Sequence, residues 1–165
     1  ILLSRKDISA YPALDKAFST VLFDSGRPVL LLNDDPFDPA KLKNAVLGWD
    51  CSAEAANAAH LALPLLSSVE ALHVTVVDPD PARMGANPGD DIALFFSRHS
   101  VSAEVNKLPS ENRNAGEALS VHAGDKNAGL LVMGAYGHSR LREWLLGGAT
   151  RSVLDSASVP VLMAH

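Results

Sequence analysis

One cysteine, Cys51, is all that 165 residues contain, so no disulfide can form within the chain, a usage that fits a reducing cytoplasm. A basic excess is also missing. Lys and Arg together number 14 against 19 Asp and Glu, a net charge of −5. No stripe of positive charge is left to neutralise phosphates, which argues against a nucleic-acid partner. No apolar run approaches the roughly 20 residues that a membrane-spanning helix needs. The opening Ile1-Leu-Leu-Ser-Arg-Lys-Asp has too short an apolar part for a signal peptide. Its start on Ile rather than Met points to residues upstream. The histidines at 60, 73, 99, 122 and 165 have no spacing that suggests a metal site. His60 and His73 are expected to be partly buried.

What is present is ordinary for a globular chain: 47% hydrophobic and 20% charged residues. Short apolar runs alternate with helical stretches. Strands are expected at residues 45–49, 71–77, 102–107, 130–134 and 159–164. Between them come helices at 53–67, 92–99, 115–123 and 150–156, with Ser52 as the N-cap of the first and Pro64 bending or ending it. The Pro/Gly/Asp-rich stretch from Asp78 reads as a long loop. Alternation of this kind means a parallel sheet with right-handed crossovers. Ligands of such sheets sit beyond the C-terminal ends of the strands, where strand order switches.

One such end carries a distinctive motif. Leu130-Leu-Val-Met133 runs into Gly134-Ala-Tyr-Gly137, and nine residues later come Gly147-Gly148-Ala-Thr150. Spaced glycines let backbone N–H groups approach an anion, and a helix N-terminus adds donors and a favourable dipole. The spacing Gly-x-x-Gly-x9-Gly resembles the nucleotide loop of the universal stress protein family. Ala45-Val-Leu-Gly-Trp-Asp50-Cys-Ser52 is similar to that family's first strand and turn, His73-Val-Thr-Val-Val-Asp78 to its second strand, and Val159-Pro-Val-Leu-Met163 to its closing strand. Two departures stand out. Gly148 occupies a position where nucleotide binders of the family usually carry Ser or Thr, and Cys51 replaces a usual glycine.

The resemblance implies an α/β fold: an open, parallel five-stranded sheet with helices on both faces, of the adenine-nucleotide alpha hydrolase-like type, in the order 3-2-1-4-5. It implies a cleft in which Gly134, Gly137, Gly147, Gly148 and Thr150 meet phosphates, Asp50 meets the adenosine end and the backbone around Val76 meets adenine. Read from the residues alone, the same glycines serve equally as turn and break between elements, and Asp50 as a helix cap. His138 lies beside the phosphate loop as a phosphate contact, a base or an inert loop residue. The implied ligand is ATP, with Mg, or another adenine nucleotide. No catalytic residue is assigned, and slow ATP hydrolysis has no identifiable base. Cys51 reads either as a reactive thiol near a helix N-terminus or as a small packed residue. Arg140 and Arg142, with Glu143, read as a solvated face, and Trp144 to Leu146 as packing residues.

An internal repeat adds a second layer. Val21-Leu-Phe-Asp-Ser-Gly-Arg-Pro28-Val-Leu-Leu aligns with Val153-Leu-Asp-Ser-Ala-Ser-Val-Pro160-Val-Leu-Met without gaps, 132 residues apart. Ile1-Leu-Leu matches Leu131-Val-Met if two residues are skipped. Residues 1–33 are therefore expected to be the last strand–helix–strand of a first copy, 34–42 a linker, and 43–165 a complete second copy. Asp34-Asp35 in that linker resembles a carboxylate pair for Mg²⁺, but the further Asp and Lys that such chemistry needs are absent from the later strand ends. The closing strands, near Val29 and Val161, are expected to pair within the chain or in a homodimer. Two functions follow: a cytoplasmic stress-response protein that binds an adenine nucleotide and signals through a partner or dimer, or a nucleotide-free dimerisation and interaction module.

Overall fold

Leu130-Leu-Val-Met is apolar at four successive positions, and a strand without a polar side must be covered on both faces. In a computed structural model, which describes residues 1–33, 37, 42–136 and 148–165, this run is β6 (Leu130–Gly134), an inner strand of a seven-stranded sheet. The other strands are β1 (Leu2–Ser4), β2 (Val29–Leu32), β3 (Asn44–Gly48), β4 (Ala71–Val77), β5 (Ala103–Leu108) and β7 (Val161–Ala164). They lie in the order β1-β2-β7-β6-β3-β4-β5. β5 carries Glu104, Asn106 and Lys107, which suits an edge. Its five-strand portion, β3 to β7, is parallel in the expected order 3-2-1-4-5.

Period-two alternation sends the side chains of these strands to two separate cores. On one face Leu47, Val74 and Val132 meet α3 (Ala53–Leu66) and α5 (Asp90–Arg98). The face of α3 is built of Ala55, Ala58, Ala59 and Ala62, all buried, so small side chains let the helix lie close to the sheet. On the other face Val46, Leu131 and Met163 meet α2 (Pro12–Asp24), α6 (Ala115–Asp125) and α7 (Gly148–Ser156). Ile8 of α1 (Arg5–Ala10) joins that second core. Asn114 and Glu117 form a reciprocal capping box at the start of α6, with both bonds at 3.1 Å. Such a cap stabilises a helix by about 1 kcal/mol.

Three expectations need correction. Pro64 neither ends nor interrupts α3 among its assigned residues; it sits in the last turn, and the helix continues to Leu66. The loop after Asp78 contains a short helix, α4 (Pro81–Met84), started by the Asp80 carboxylate accepting from Ala82 N–H at 2.9 Å. The sheet is seven-stranded and mixed rather than five-stranded and parallel, because the N-terminal segment joins it. β2 runs antiparallel to β7, pairing Val29 with Met163, Leu30 with Leu162 and Leu31 with Val161. β1 lies parallel beside β2, as β6 lies parallel beside β7. Of the two arrangements expected for the closing strands, the chain adopts internal pairing. Each closing strand thereby has a neighbour on both sides, and the edge needed for the expected homodimer through these strands is occupied.

Two histidines are enclosed between sheet and helix. His73 on β4 and His122 on α6 are 7% and 8% exposed, with ring centroids 6.3 Å apart. His60, expected to be partly buried, is exposed instead, its ring Nδ1 hydrogen-bonded with the Ala56 carbonyl at 2.9 Å. Burial pushes both enclosed imidazoles below the ordinary histidine range. Lys126 adds to the effect on both and His73 to that on His122, while Glu104 opposes it on both and Asp125 on His122. The folded state therefore keeps them neutral at a pH where the unfolded chain begins to take up protons. Their contribution to stability is complete above about pH 6.5 and is lost as pH falls through the lowered folded values. We expect the urea midpoint to be level from pH 8 to 6.5 and to drop towards pH 5. The His73→Leu, His122→Leu double variant should drop less over that window, and equal slopes for the two proteins would disprove the assignment.

Candidate functional site

At the C-terminal ends of β3, β4 and β6 the described residues enclose a cleft of about 230 Å³. The end of β3 supplies Gly48, Trp49 and Asp50. Thr75 and Val77 come from β4, and Met133, Gly134 and Tyr136 from β6 and its exit. Helix starts complete the wall: Ser52 before α3, Ala115 of α6, and Gly148, Ala149 and Thr150 of α7. Three helix N-termini thus face one space, each with its positive dipole end inward. Apolar surface from Trp49, Leu119 and Met133 makes up much of the remainder. An anionic group near α7 and a flat apolar group between the strands fit this distribution.

The turn out of β3 is held by Asp50. Its carboxylate accepts from Ser52 N–H at 3.0 Å and Ser52 Oγ–H at 2.6 Å, and Ser52 Oγ in turn accepts from Ala55 N–H at 3.1 Å. One carboxylate therefore orients the cap of α3 as well as lining the cleft. The turn forces Cys51 into a left-handed backbone, φ +61°, which a residue with Cβ adopts at a cost of about 1–2 kcal/mol. That strain explains why glycine suits this position. Cys51 is exposed and is not part of the cleft wall. Cys51 is thus not the small packed residue; its thiol is pushed up by partial burial, then by Asp91 and Asp50, against the lowering effects of Trp49 and Arg83. Arg83 of α4 donates from Nη2 to the Asp50 carbonyl at 3.0 Å, tying the loop after β4 to the exit of β3.

On β4, Thr75 accepts at its carbonyl from Trp49 N–H at 2.9 Å, whereas Asp78 N–H donates the other way, to Leu108 at 2.9 Å. Backbone groups alternate sides along a strand. Those of Val76 therefore turn to β5, and those of Val77 turn to the β3 side, where the cleft lies. The Val76 side chain is in the core, 1% exposed. Val77 and Thr75, rather than Val76, line the cleft.

Two glycines act through close approach. A Cβ on Gly134 would stand 2.5 Å from Ala55 N, so the start of α3 lies directly on the end of β6. A Cβ on Gly116 would meet the Ala149 carbonyl oxygen at 2.2 Å, so the first turns of α6 and α7 touch backbone to backbone. Between them Tyr136 adopts φ +62°, and its N–H donates to Thr150 Oγ1 at 3.3 Å. Burial, with Asp15 as a second cause, pushes the Tyr136 phenol up to about 12. Thr150 is buried, its hydroxyl oxygen holding this exit.

Of the residues picked out in the sequence, Asp50, Gly134, Gly148 and Thr150 converge on the cleft, and Val76 does not. Gly137, His138 and Gly147 lie outside the described residues, as do Arg140, Arg142, Trp144 and the linker pair Asp34-Asp35. Trp49 and Tyr136 were missed although they adjoin motif residues, and that adjacency was the available signal. Nothing in the sequence marked Arg83. Among the described residues no group of three His, Cys, Asp or Glu side chains could hold a metal ion.

Comparison with known proteins agrees with this fold. The model of the universal stress protein family matches residues 41–165. A universal stress protein of Synechocystis sp., Slr1230, is 45% identical over 49 residues, which is 30% of this chain and 17% of that protein. A universal stress protein structure from Archaeoglobus fulgidus superposes with a TM-score of 0.70 at 19% identity, covering 98% of this chain and 57% of its own. The chain thus spans little more than half of that relative and a smaller part of the first. A universal stress protein solved in complex with cAMP is similar with a TM-score of 0.54 and 19% identity, over 74% of this chain and 97% of that one.

Two substitutions test the local geometry. Cys51→Gly removes the left-handed strain and should stabilise the fold by about 1 kcal/mol, raising Tm by about 2–4 °C; an unchanged or lower Tm by calorimetry would contradict the turn. Gly134→Ala forces α3 off β6 and should destabilise by about 1–3 kcal/mol in urea titration, whereas tolerance of the methyl group would mean that the two backbones are not in contact.

Proposed function

From the premise that this chain belongs to the universal stress protein family, we propose that its cleft binds an adenine nucleotide and that occupancy changes affinity for a partner in a cytoplasmic stress response. The observation that carries this reading is an open cleft at both positions where the sequence departs from the family pattern. Among the described residues Cys51 stays outside the wall, and a Cβ added at Gly148 has nothing within 4 Å. In this reading the first-turn N–H groups of α7, at Gly148 and Ala149, receive phosphate oxygens, because helix starts leave such donors unpartnered. Thr75 and the Val77 backbone, flanked by Trp49 and Met133, take the base. Asp50 accepts from the ribose while keeping its bonds to Ser52. Magnesium enters only with the nucleotide, and no reaction is assigned. A phosphate-bearing adenine ligand is also what one similar structure holds, in the form of cAMP.

A second reading rests on one specific observation. The Asp50 carboxylate already serves Ser52 twice, as it would in a member that keeps the turn without a ligand and acts as an interaction module. The N-terminal segment belongs to the same proposal: residues 1–33 are the end of a preceding copy, joined by 34–42 to the complete copy at 43–165. The register supports this. Leu30 and Leu162 are counterparts in the repeat and pair with each other, while Val29 and Leu31 pair with the counterparts of one another, as across a local twofold axis. The coverage of the Archaeoglobus fulgidus protein, 98% of this chain but 57% of that one, suits a chain carrying more than one copy.

Calorimetric titration of the purified chain with ATP, ADP, AMP and cAMP separates the two readings. Binding of at least one is expected, together with nucleotide released on denaturation and identified by mass spectrometry. Gly148→Ser restores a hydroxyl where space exists, and one hydrogen bond to a charged phosphate should tighten binding by roughly tenfold. No heat from wild type or from Gly148→Ser at millimolar nucleotide leaves the interaction module as the function.

A further inference from the structure

Tyr136 is held in a conformation that its own sequence does not favour. A bulky side chain at φ +62° is strained, and strain of this kind persists only where the surroundings over-determine it. One restraint comes from within the complete copy, the bond from Tyr136 N–H to Thr150 Oγ1. Another comes from outside it. Phe23, in the last turn of α2, places its ring 5.0 Å from the Tyr136 ring, tilted by 43°. The same Phe23 ring meets His165 edge-on at 4.7 Å, and His165 Nδ1 is hydrogen-bonded with the Ala135 carbonyl at 2.9 Å. Two consecutive residues at the exit of β6 are thus braced by one side chain of the N-terminal segment, Tyr136 directly and Ala135 through His165.

Phe23 itself is 44% exposed, so core filling does not account for it. The buried anchors of α2 are Phe18 and Leu22, which already fix the helix on the sheet. Phe23 projects from this anchored helix to the one stretch where β6 leaves the sheet for the glycine motif. Tyr136 lines the cleft, and through Thr150 it is tied to the first turn of α7. A displacement of Tyr136 therefore moves both a wall of the cleft and the donors proposed to meet phosphate.

We propose that Phe23 is a positioning residue for the cleft, so that ligand affinity of the 43–165 unit depends on a side chain supplied by the 1–33 segment. This rests on the reading of the cleft as an adenine-nucleotide site. It makes the appended strand–helix–strand part of the binding apparatus rather than a passive edge cover. It also places a partner or a preceding copy that shifts α2 in mechanical contact with the cleft.

The test uses the full chain with Phe23→Ala and Phe23→Tyr, titrated with ATP and cAMP by calorimetry, alongside Tm. Loss of one aromatic pair should weaken binding by roughly three- to tenfold, with little change in Tm because Phe23 is half exposed, and Phe23→Tyr should restore wild-type affinity. A second readout follows the phenol of Tyr136 by ultraviolet titration in a Tyr11→Phe background, where it is the sole tyrosine. Phe23→Ala should bring its midpoint down from about 12 towards the ordinary range by admitting water, and Phe23→Tyr offers no parallel measurement because it adds a phenol, so Phe23→Leu serves there as the partial rescue. Wild-type affinity in Phe23→Ala with an unmoved phenol overturns the inference and leaves the nucleotide reading standing. A wild-type chain that binds neither ATP nor cAMP removes that reading and this inference with it.

Discussion

Antiparallel pairing of Leu30 with Leu162 is the contact on which the molecule's arrangement depends. It merges a short N-terminal segment and a five-strand unit into one sheet, and it gives both closing strands a neighbour on each side. Both strands are nearly continuous apolar runs, and exposing such an edge invites association. Pairing also fixes where α2 lies, since β2 follows it directly and α2 packs into the same core as α7. From that placement comes the reach of Phe23 to Tyr136 and His165.

The cleft is formed by backbones brought unusually close. Gly134 brings α3 onto β6, and Gly116 brings α7 onto α6. Each contact aims a helix start at the space above the strands, so packing and electrostatics are set by the same residues. This dual use explains why glycines are ambiguous evidence of binding. Gly134 is required for packing whether or not a ligand is present, whereas at Gly148 an added Cβ meets nothing within 4 Å among the described residues. Asp50 shows the same overlap, capping a turn and lining a cleft at once.

Much of the fold was legible because its signals are local. Four apolar residues before Gly134 mark a buried strand, Ser52 marks a helix start, and the alternation of strands and helices marks a parallel sheet. The site was legible only in part. Asp50, Gly134, Gly148 and Thr150 line the cleft, and in the region of Val76, whose own side chain is in the core, strand alternation gives the cleft to Thr75 and Val77. Shifting by one residue reverses every side chain and backbone group on a strand, and motif resemblance is too coarse to resolve that. Arg83 escaped because its role arises from a long-range bond to the Asp50 carbonyl. Cys51 was judged from its chemistry, while its backbone angle decides its situation.

Local chemistry in the sequence by itself determined the strand and helix pattern, the chain's lack of disulfides and the match between residues near 21–31 and 153–163. Those properties follow from composition, periodicity and spacing, which are carried by neighbours along the chain. Tertiary structure alone decided that β2 and β7 pair with each other, that His73 and His122 face one another in the core, and that Phe23 stands against Tyr136 across 113 residues of sequence. Such contacts depend on register and on the crossing of distant backbones, and no window of sequence contains both partners.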